Sequence, residues 1–566
     1  MKHPIKRLLS ILLTLCLLLS LTVPAMAARD EAPRPAVSWE RVGGGRAEPL
    51  AAGVSPLLDT ERDPLEPVRV SIVLKEESTI ARGWQAKGIA DNRAAMNYRA
   101  ALKAKQAALA ERISKEILDG EPLDVVWNIT LAGNMISANV PYGKLAAIEA
   151  LDQVKAVVLE NRYAPAAGVE EGDRPDMYRS TLQTGSDKVW AQGITGAGAR
   201  VAVIDTGVNH NHNSNNASAL EYSLGLDAAA LGISAEDFIA SLHLLTAEEI
   251  EAHLEELNAP VDPSKAYLTT KVPFAYNYVD GDYDTTHAND SQGNHGSHVA
   301  GIDAANKYVV SGSGFAEAAN GNNKIKGQAY DAQIINMKVF GKNGGAYDSD
   351  YMAAIEDAIV LGCDSANLSL GSAAGGHATD PEYQAILDSL ANSDIVVSIS
   401  MGNSYAWSQY SGVNPIYSDD VNYFTGSSPG SFANAFTVAS VGGANYNANN
   451  RYTMSSFSSW GVPGDLSLKP EITAPGGSIT SVNGNNNTGY TSMSGTSMAA
   501  PQIGGIAGLM GQYLRQKDLL TAARKTNPEI SSRQLRQSLL MSTAVPMHEG
   551  SADGPYYPIL RQGPAL

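Results

Sequence analysis

The sequence predicts an α/β protein: a large three-layer domain around a mostly parallel central sheet, preceded by a small α+β unit of the ferredoxin-like split type. Three observations point there. The chain has 566 residues, more than one ordinary domain uses, so at least two folding units are expected. Residues 67–165 read β-α-β-β-α-β, whereas beyond about 180 short apolar strands alternate with helices, the pattern of a parallel sheet covered on both faces. Charge is also unevenly spread: residues 28–165 are nearly balanced, while 166–566 hold 20 Lys and Arg against 40 Asp and Glu.

Composition bounds the class. With 44% hydrophobic and 18% charged residues and a mean hydropathy of −0.15, the chain fits a soluble globular protein and excludes a disordered, collagenous or polytopic membrane one. A net charge of −18 argues against nucleic acid as a partner, because phosphate contacts need clustered Lys and Arg.

The N-terminus reads as an export signal. Lys2, Lys6 and Arg7 precede an apolar run over 8–23, and Ala25-Met26-Ala27 sets small residues for cleavage before Ala28. Residues 1–27 are therefore expected to be a signal peptide, and the protein to be secreted, extracellular or associated with the cell envelope. Leu15 before Cys16 is too bulky for a lipoprotein signal. No later stretch reaches the roughly 18 apolar residues of a bilayer span, so no transmembrane anchor is expected in this chain. After processing only Cys363 remains, which leaves no internal disulfide. Its setting, 358–367, reads as a helix end leading into a buried strand, so a structural thiol is expected.

Taking the elements in order, residues 28–66 are rich in Pro, Gly, Ala and charge without apolar periodicity and read as a flexible lead. Residues 68–75 form a strand candidate, and 94–118 a long amphipathic helix. Residues 125–131 and 135–140 look like paired strands around Ala132-Gly133-Asn134. A short helix over 145–150 and a strand over Val154–Leu159 complete a domain of 67–165, which carries no cluster of catalytic side chains. The larger domain, 166–566, shows strands at 201–204, 333–340, 365–369, 395–400 and 436–441. An acidic helical insertion at about 217–265 interrupts it and is expected on the surface.

Three element boundaries carry residues that can do chemistry. Val-Ala-Val-Ile-Asp-Thr-Gly (201–207) puts Asp205 at the carboxyl end of a buried strand, where open α/β sheets build their sites. Asn294-His295-Gly296-Ser297-His298-Val299-Ala300-Gly301 opens a helix with two histidines. Gly495-Thr496-Ser497-Met498-Ala499-Ala500-Pro501 precedes the helix-like run 502–514. Alone, a serine at a helix start is a cap. Together, an acid, a histidine and a serine, each beside glycine, supply a nucleophile, the base that takes its proton, and the carboxylate that orients the base. The order Asp205, His295, Ser497 differs from the nucleophile-first order of the α/β-hydrolases.

These three motifs resemble the signatures of the subtilisin-like serine proteases, over roughly 180–566. The resemblance implies a three-layer subtilisin-like domain and a serine endopeptidase that acts on protein or peptide substrates through an acyl-enzyme. Ser497 would be the nucleophile, His295 the base and Asp205 its orienting group. Met401-Gly402-Asn403 matches the family's oxyanion-hole motif, which makes Asn403 the side-chain donor beside the Ser497 N–H. Leu368-Ser369-Leu370-Gly371 resembles the edge segment that pairs with extended substrate, so Ser369, Leu370 and Gly371 are expected to bind it. His298 would be a packing residue and Met498 an oxidation-sensitive neighbour. Residues 67–165 resemble the family's inhibitory propeptide, which would be both folding template and inhibitor, cleaved in cis within 164–180.

Several features depart from the common pattern. Ser297 stands where Thr is usual, and Ser400-Met401 replaces a small pair before Gly402-Asn403. The insertion and residues 272–278 resemble the lactocepin-type cell-envelope proteinases, yet 440–497 is too short for the protease-associated domain those carry. The last residues, 561–566, resemble a segment that continues into further domains in that group, so the sequence is expected to be either clipped or unusually short. The chemistry implied requires no cofactor. Asp280-Gly-Asp-Tyr-Asp284 with Asp290 offers the clustered oxygens that calcium takes, but without the Gly and distal Glu of an EF-hand loop, and reads mainly as a solvated loop; structural calcium elsewhere fits the family, and no metal ligands are assigned. Two other readings are a silent peptide-holding protein and a sedolisin-like acid peptidase. The intact triad speaks against the first, and His295, in place of Glu, against the second.

Overall fold

The computed structural model describes residues 62–165, 177–321, 323–371, 394–404, 424–442, 453–462, 466–549 and 554–564. The expected signal peptide, most of the 28–66 lead and most of the expected maturation stretch lie outside the described residues.

The first described unit is a four-stranded antiparallel sheet under one long helix. Strands β1 (Pro67–Leu74), β2 (Asp124–Ile129), β3 (Met135–Pro141) and β4 (Val154–Leu159) lie in the order β2-β3-β1-β4. Helix α1 (Arg93–Glu116) starts where the Asn92 side chain accepts from the N–H groups of Ala94 and Ala95, relieving two of the unpaired donors of a helix start. Its buried residues Ala95, Arg99, Leu102, Gln106, Leu109 and Ile113 recur every three or four positions, the stripe that faces a core. The core includes Val70, Ile72, Leu109, Ile113, Ile136 and Ile148, with the last on short helix α2 (Leu145–Glu149). A two-residue strand, β5 (Ala164–Pro165), follows.

The second unit is built on seven parallel strands. They are β6 (Arg200–Asp205), β7 (Phe274–Asn277), β8 (Gln333–Lys338), β9 (Ser365–Leu368), β11 (Val396–Ser400), β12 (Phe436–Gly442) and β13 (Ile472–Gly477), with β10 (Leu370–Gly371) as a separate edge piece. The sheet order is β13-β12-β11-β9-β6-β8-β7, and every neighbouring pair is parallel. The predicted α/β class stands. Strands β6, β8, β9 and β11 are buried along their whole length, as a sheet covered on both faces requires. Helices α3 (His295–Ala304), α4 (Asp348–Val360) and α5 (Thr496–Lys517) pack on it. Strands β7 and β13 at the two edges were not expected from the sequence.

The insertion folds as four short helices between β6 and β7, Ala217–Leu231, Ala235–Ser241, Ala247–Ala252 and Pro263–Ala266. Each start is capped by a preceding side chain: Asn216, Ser234, Thr246 and Asp262. Charge covers its outside, but it is more than a solvated face. Leu220, Leu224, Ala228 and Phe238 make a small core together with Ala197, and Ile250, Leu257, Ala259 and Val261 join the main one. Among the described residues no helix is long and apolar enough to cross a membrane.

Candidate active site

Asp205 ends β6 and His295 begins α3, so both stand at the carboxyl end of the sheet. The Asp205 Oδ1 accepts from His295 Nδ1 at 2.8 Å and from the Thr206 N–H at 2.7 Å. Because Nδ1 donates to a carboxylate, the neutral ring keeps Nε2 as its acceptor. His295 Nε2 is buried and has no hydrogen-bond partner among the described residues. The approach of α3 to β6 depends on Gly296. A Cβ there would stand 2.6 Å from the Gly207 carbonyl and 3.0 Å from Asp205 Oδ1, so any larger residue would push His295 off its carboxylate. Thr206 fastens the same junction, its Oγ1 accepting from the Gly296 N–H at 2.9 Å.

Ser497 lies in the first turn of α5, where unpaired N–H groups and the helix dipole favour negative charge. Its Oγ donates weakly to the Ser369 carbonyl at 3.4 Å, and among the described residues no hydrogen bond joins it to His295. Such bonds are often loose until substrate is bound. Pro501 sits inside the helix and has no N–H for the carbonyl four residues back, that of Ser497. Ser369 Oγ takes that place, donating to the Ser497 carbonyl at 2.8 Å. Ser369 is held in turn by Asn367 Nδ2 at 2.9 Å.

Asn403 follows β11 and faces the same helix start. Its Oδ1 accepts from the Thr496 N–H and from Thr496 Oγ1, both at 2.9 Å. With the amide oxygen fixed, Nδ2 is left as a buried donor without a partner among the described residues. A free donor beside a serine at a positive helix end can stabilise an oxyanion. Asp205, His295, Asn403 and Ser497, which the sequence singles out from four distant segments, are thus brought to one end of one sheet. Thr206, Thr496 and Pro501 complete the arrangement. The sequence reading gave them no separate part, although each is adjacent to or inside a quoted motif.

The edge segment carries a strand. β10 pairs antiparallel with β5, Leu370 opposite Pro165 and Gly371 opposite Ala164. The chain leading into β5 is held on the other side, with the Tyr163 N–H donating to the Ala346 carbonyl at 2.8 Å. The first unit is gripped mainly by α4. Glu356 of that helix accepts from the Leu131 N–H at 2.7 Å and from those of Thr130, Ala132 and Gly133, and pairs with Arg99 at 3.1 Å. Arg99 also donates to Asn258 Oδ1 at 3.1 Å and to the Glu256 carbonyl, so the insertion shares in the contact.

Other expected residues fall into place by their surroundings. His298 is buried with Nε2 between the carbonyls of Ile479 (3.0 Å) and Thr491 (3.1 Å), and burial pushes its pKa down to about 3. It is a neutral packing group. Cys363 is buried and its thiol is pushed far up by burial, which makes it inert. Met498 is fully buried, so adjacency to Ser497 does not expose it to oxidants. In the Asp280 loop, Asn277 Nδ2 bridges Asp280 and Asp282, and Asp290 pairs with Lys338. Among the described residues no group of three or more His, Cys, Asp or Glu side chains is placed to hold a metal.

Comparison with known proteins adds a lineage. A profile of the Subtilase family matches residues 196–556. The PII-type proteinase of Lacticaseibacillus paracasei is 24% identical, over 76% of this chain and 28% of that protein. The thermophilic serine proteinase of Bacillus sp. strain AK1 is 31% identical, over 49% of this chain and 56% of that protein. An extracellular protease of Xanthomonas campestris pv. campestris is 26% identical, over 68% of this chain and 59% of that protein. The chain thus spans little more than a quarter of the length of the PII-type proteinase it matches.

Proposed function

This chain belongs to the subtilase family, and from that premise we propose that it is a secreted serine endopeptidase made as an inhibited precursor. The observation that carries the reading is the convergence of His295, held to Asp205 at 2.8 Å, with Ser497 and the free Nδ2 of Asn403.

The chemistry follows from those positions. An extended substrate adds as a strand along Ser369, Leu370 and Gly371, which favours loops and unfolded stretches of proteins. Ser497 Oγ adds to the scissile carbonyl carbon while His295 Nε2 takes its proton. Asp205 keeps the ring in the required tautomer and stabilises the imidazolium. The oxyanion forms between Asn403 Nδ2 and the Ser497 N–H. His295 then gives its proton to the leaving amine. A water, deprotonated by the same Nε2, adds to the acyl carbon, and as the bond to Ser497 Oγ breaks His295 returns the proton to that oxygen. In this reading no cofactor enters a step, and calcium is at most a structural ion.

Residues 67–165 act as inhibitor and folding template. Two contacts support that role: β5 occupies the edge where substrate would add, and Glu356 caps four N–H groups of the unit. Cleavage in cis within 164–180 would free the cleft. Residues 1–27 would direct export to the cell exterior or envelope. The test is active-site labelling: a fluorophosphonate should modify the processed protein at one site, and peptide mapping should place it on Ser497. No labelling of a processed, folded protein contradicts the proposal.

A further inference from the structure

Tyr163 immediately precedes β5 and is almost wholly buried, with 3% of its surface exposed. Its ring meets that of Tyr351 edge-on, centroids 5.8 Å apart, and belongs to the main apolar core, which also holds Ala346, Leu370 and Phe432. The bottom of this pocket is polar. The Tyr163 hydroxyl donates to Asp348 Oδ1 at 2.8 Å and lies 3.3 Å from Ser428 Oγ. Asp348 is fully buried. Its Oδ1 also accepts from the Tyr351 hydroxyl at 2.7 Å, and its Oδ2 from the Asn161 N–H at 2.7 Å.

The pocket opens onto the path of substrate. From Tyr163 the chain runs into β5, antiparallel to β10, and β10 follows Ser369, whose carbonyl is 3.4 Å from Ser497 Oγ. Any peptide that adds to this edge in the same register places one side chain between Tyr351 and Asp348.

We propose that this pocket is a specificity subsite for tyrosine, with Asp348 the residue that reads the phenolic hydroxyl. The inference rests on the peptidase reading, because it takes residues 162–165 as lying where substrate lies. The walls accept an aromatic ring, so size alone admits phenylalanine. Phenylalanine, however, leaves a buried carboxylate short of one donor, and a site built around a hydroxyl rejects the analogue that lacks it. Burial lifts the Asp348 carboxyl to about 7, and the Tyr351 and Tyr163 hydroxyls and the Asn161 N–H act against that rise, so losing the phenol removes one of the groups that hold the charge. A lysine would bring charge but no ring for the Tyr351 edge, and its ammonium would be stripped of water among apolar walls.

The test uses the processed protein and peptides of residues 156–165 with Tyr, Phe or Lys at position 163, labelled at the N-terminus. Binding is read by fluorescence anisotropy, with casein hydrolysis measured in parallel. The Tyr peptide should bind about tenfold more tightly than the Phe peptide, the scale of one hydrogen bond to a charged group. Asp348→Ala should bring that ratio close to one, and Asp348→Asn, which keeps an acceptor, should retain most of it. Equal binding of the Tyr and Phe peptides, tightest binding of the Lys peptide, or a ratio that Asp348→Ala leaves unchanged would overturn the inference while leaving the peptidase reading intact. Discrimination by a processed protein that leaves casein uncut would instead remove the peptidase reading and keep the pocket.

Discussion

Ser369 Oγ donates to the backbone carbonyl of Ser497 at 2.8 Å, the acceptor that Pro501 leaves without a helical partner. The substrate edge and the nucleophile helix are therefore tied by one buried bond. In Ser369→Ala that carbonyl is unsatisfied in a dry site, which costs about 1–3 kcal/mol. The processed protein should lose that much stability in urea unfolding, and its kcat should fall more than its KM rises. An unchanged unfolding midpoint would show that the bond carries no net stability.

Asn403 offers a sharper kinetic signature. Its amide oxygen is already taken up by Thr496, so only Nδ2 can face the reacting carbonyl, and the oxyanion forms only in the transition state. Asn403→Ala should lower kcat by about 10²–10³, the range known for the side-chain donor of subtilisin, a member of the same family. KM should change little. A mutant that raised KM with kcat intact would assign Asn403 to ground-state binding instead.

Much of this arrangement was readable from the chain. Asp205, His295 and Ser497 announce themselves because each must end a rigid element with no bulk around it, and the flanking Gly207, Gly296 and Gly495 record that need. Strands β6 and β11 are buried on both faces and appear as largely apolar runs, whereas β8 and β9 also bury Gln333, Asn336, Lys338, Ser365 and Asn367. The two edge strands escaped. β7 is only four residues long, beside a run of aspartates, and β13 contains Pro475 and Gly476, which ordinarily break a strand; at a sheet edge a missing N–H is tolerated. Helix α4 was legible only at its end. Asp348, Asp350, Glu356 and Asp357 look like a solvated face, yet all are buried. Arg69 and Trp127 cover Asp350, and Arg99 with the N–H groups of 130–133 covers Glu356. Asn161 and Tyr163 cover Asp348, and Asn258 and Ala259 of the insertion cover Asp357. Those pairings span 98 to 281 positions, beyond any local pattern.

The grip of the first unit on α4 should depend heavily on Glu356. Removing it strands Arg99 in a buried site together with four N–H groups, and breaking such a pair costs about 3–5 kcal/mol. In the unprocessed Ser497→Ala chain, Glu356→Ala should therefore expose residues 67–165 to trypsin far sooner than the parent. Equal resistance would mean that the remaining contacts suffice.

The packing around α4 should weaken with rising pH. Burial lifts the carboxyls of Asp348 to about 7 and Asp357 to about 6 from an ordinary value near 3.8. A raised folded pKa means that the folded chain holds the proton longer than the unfolded one, so stability falls as pH climbs from about 4 through about 7. Unfolding of the Ser497→Ala chain should show that slope, and Asp348→Asn should flatten it. A slope unaffected by the substitution would exclude Asp348 as its source.

The most direct test of the central claim is the intact mass of wild-type and Ser497→Ala protein expressed side by side. The wild type should lose the unit ending near residues 164–180, and the variant should keep it although folded. Loss of that unit from both, with casein hydrolysed by both, would contradict Ser497 as the nucleophile.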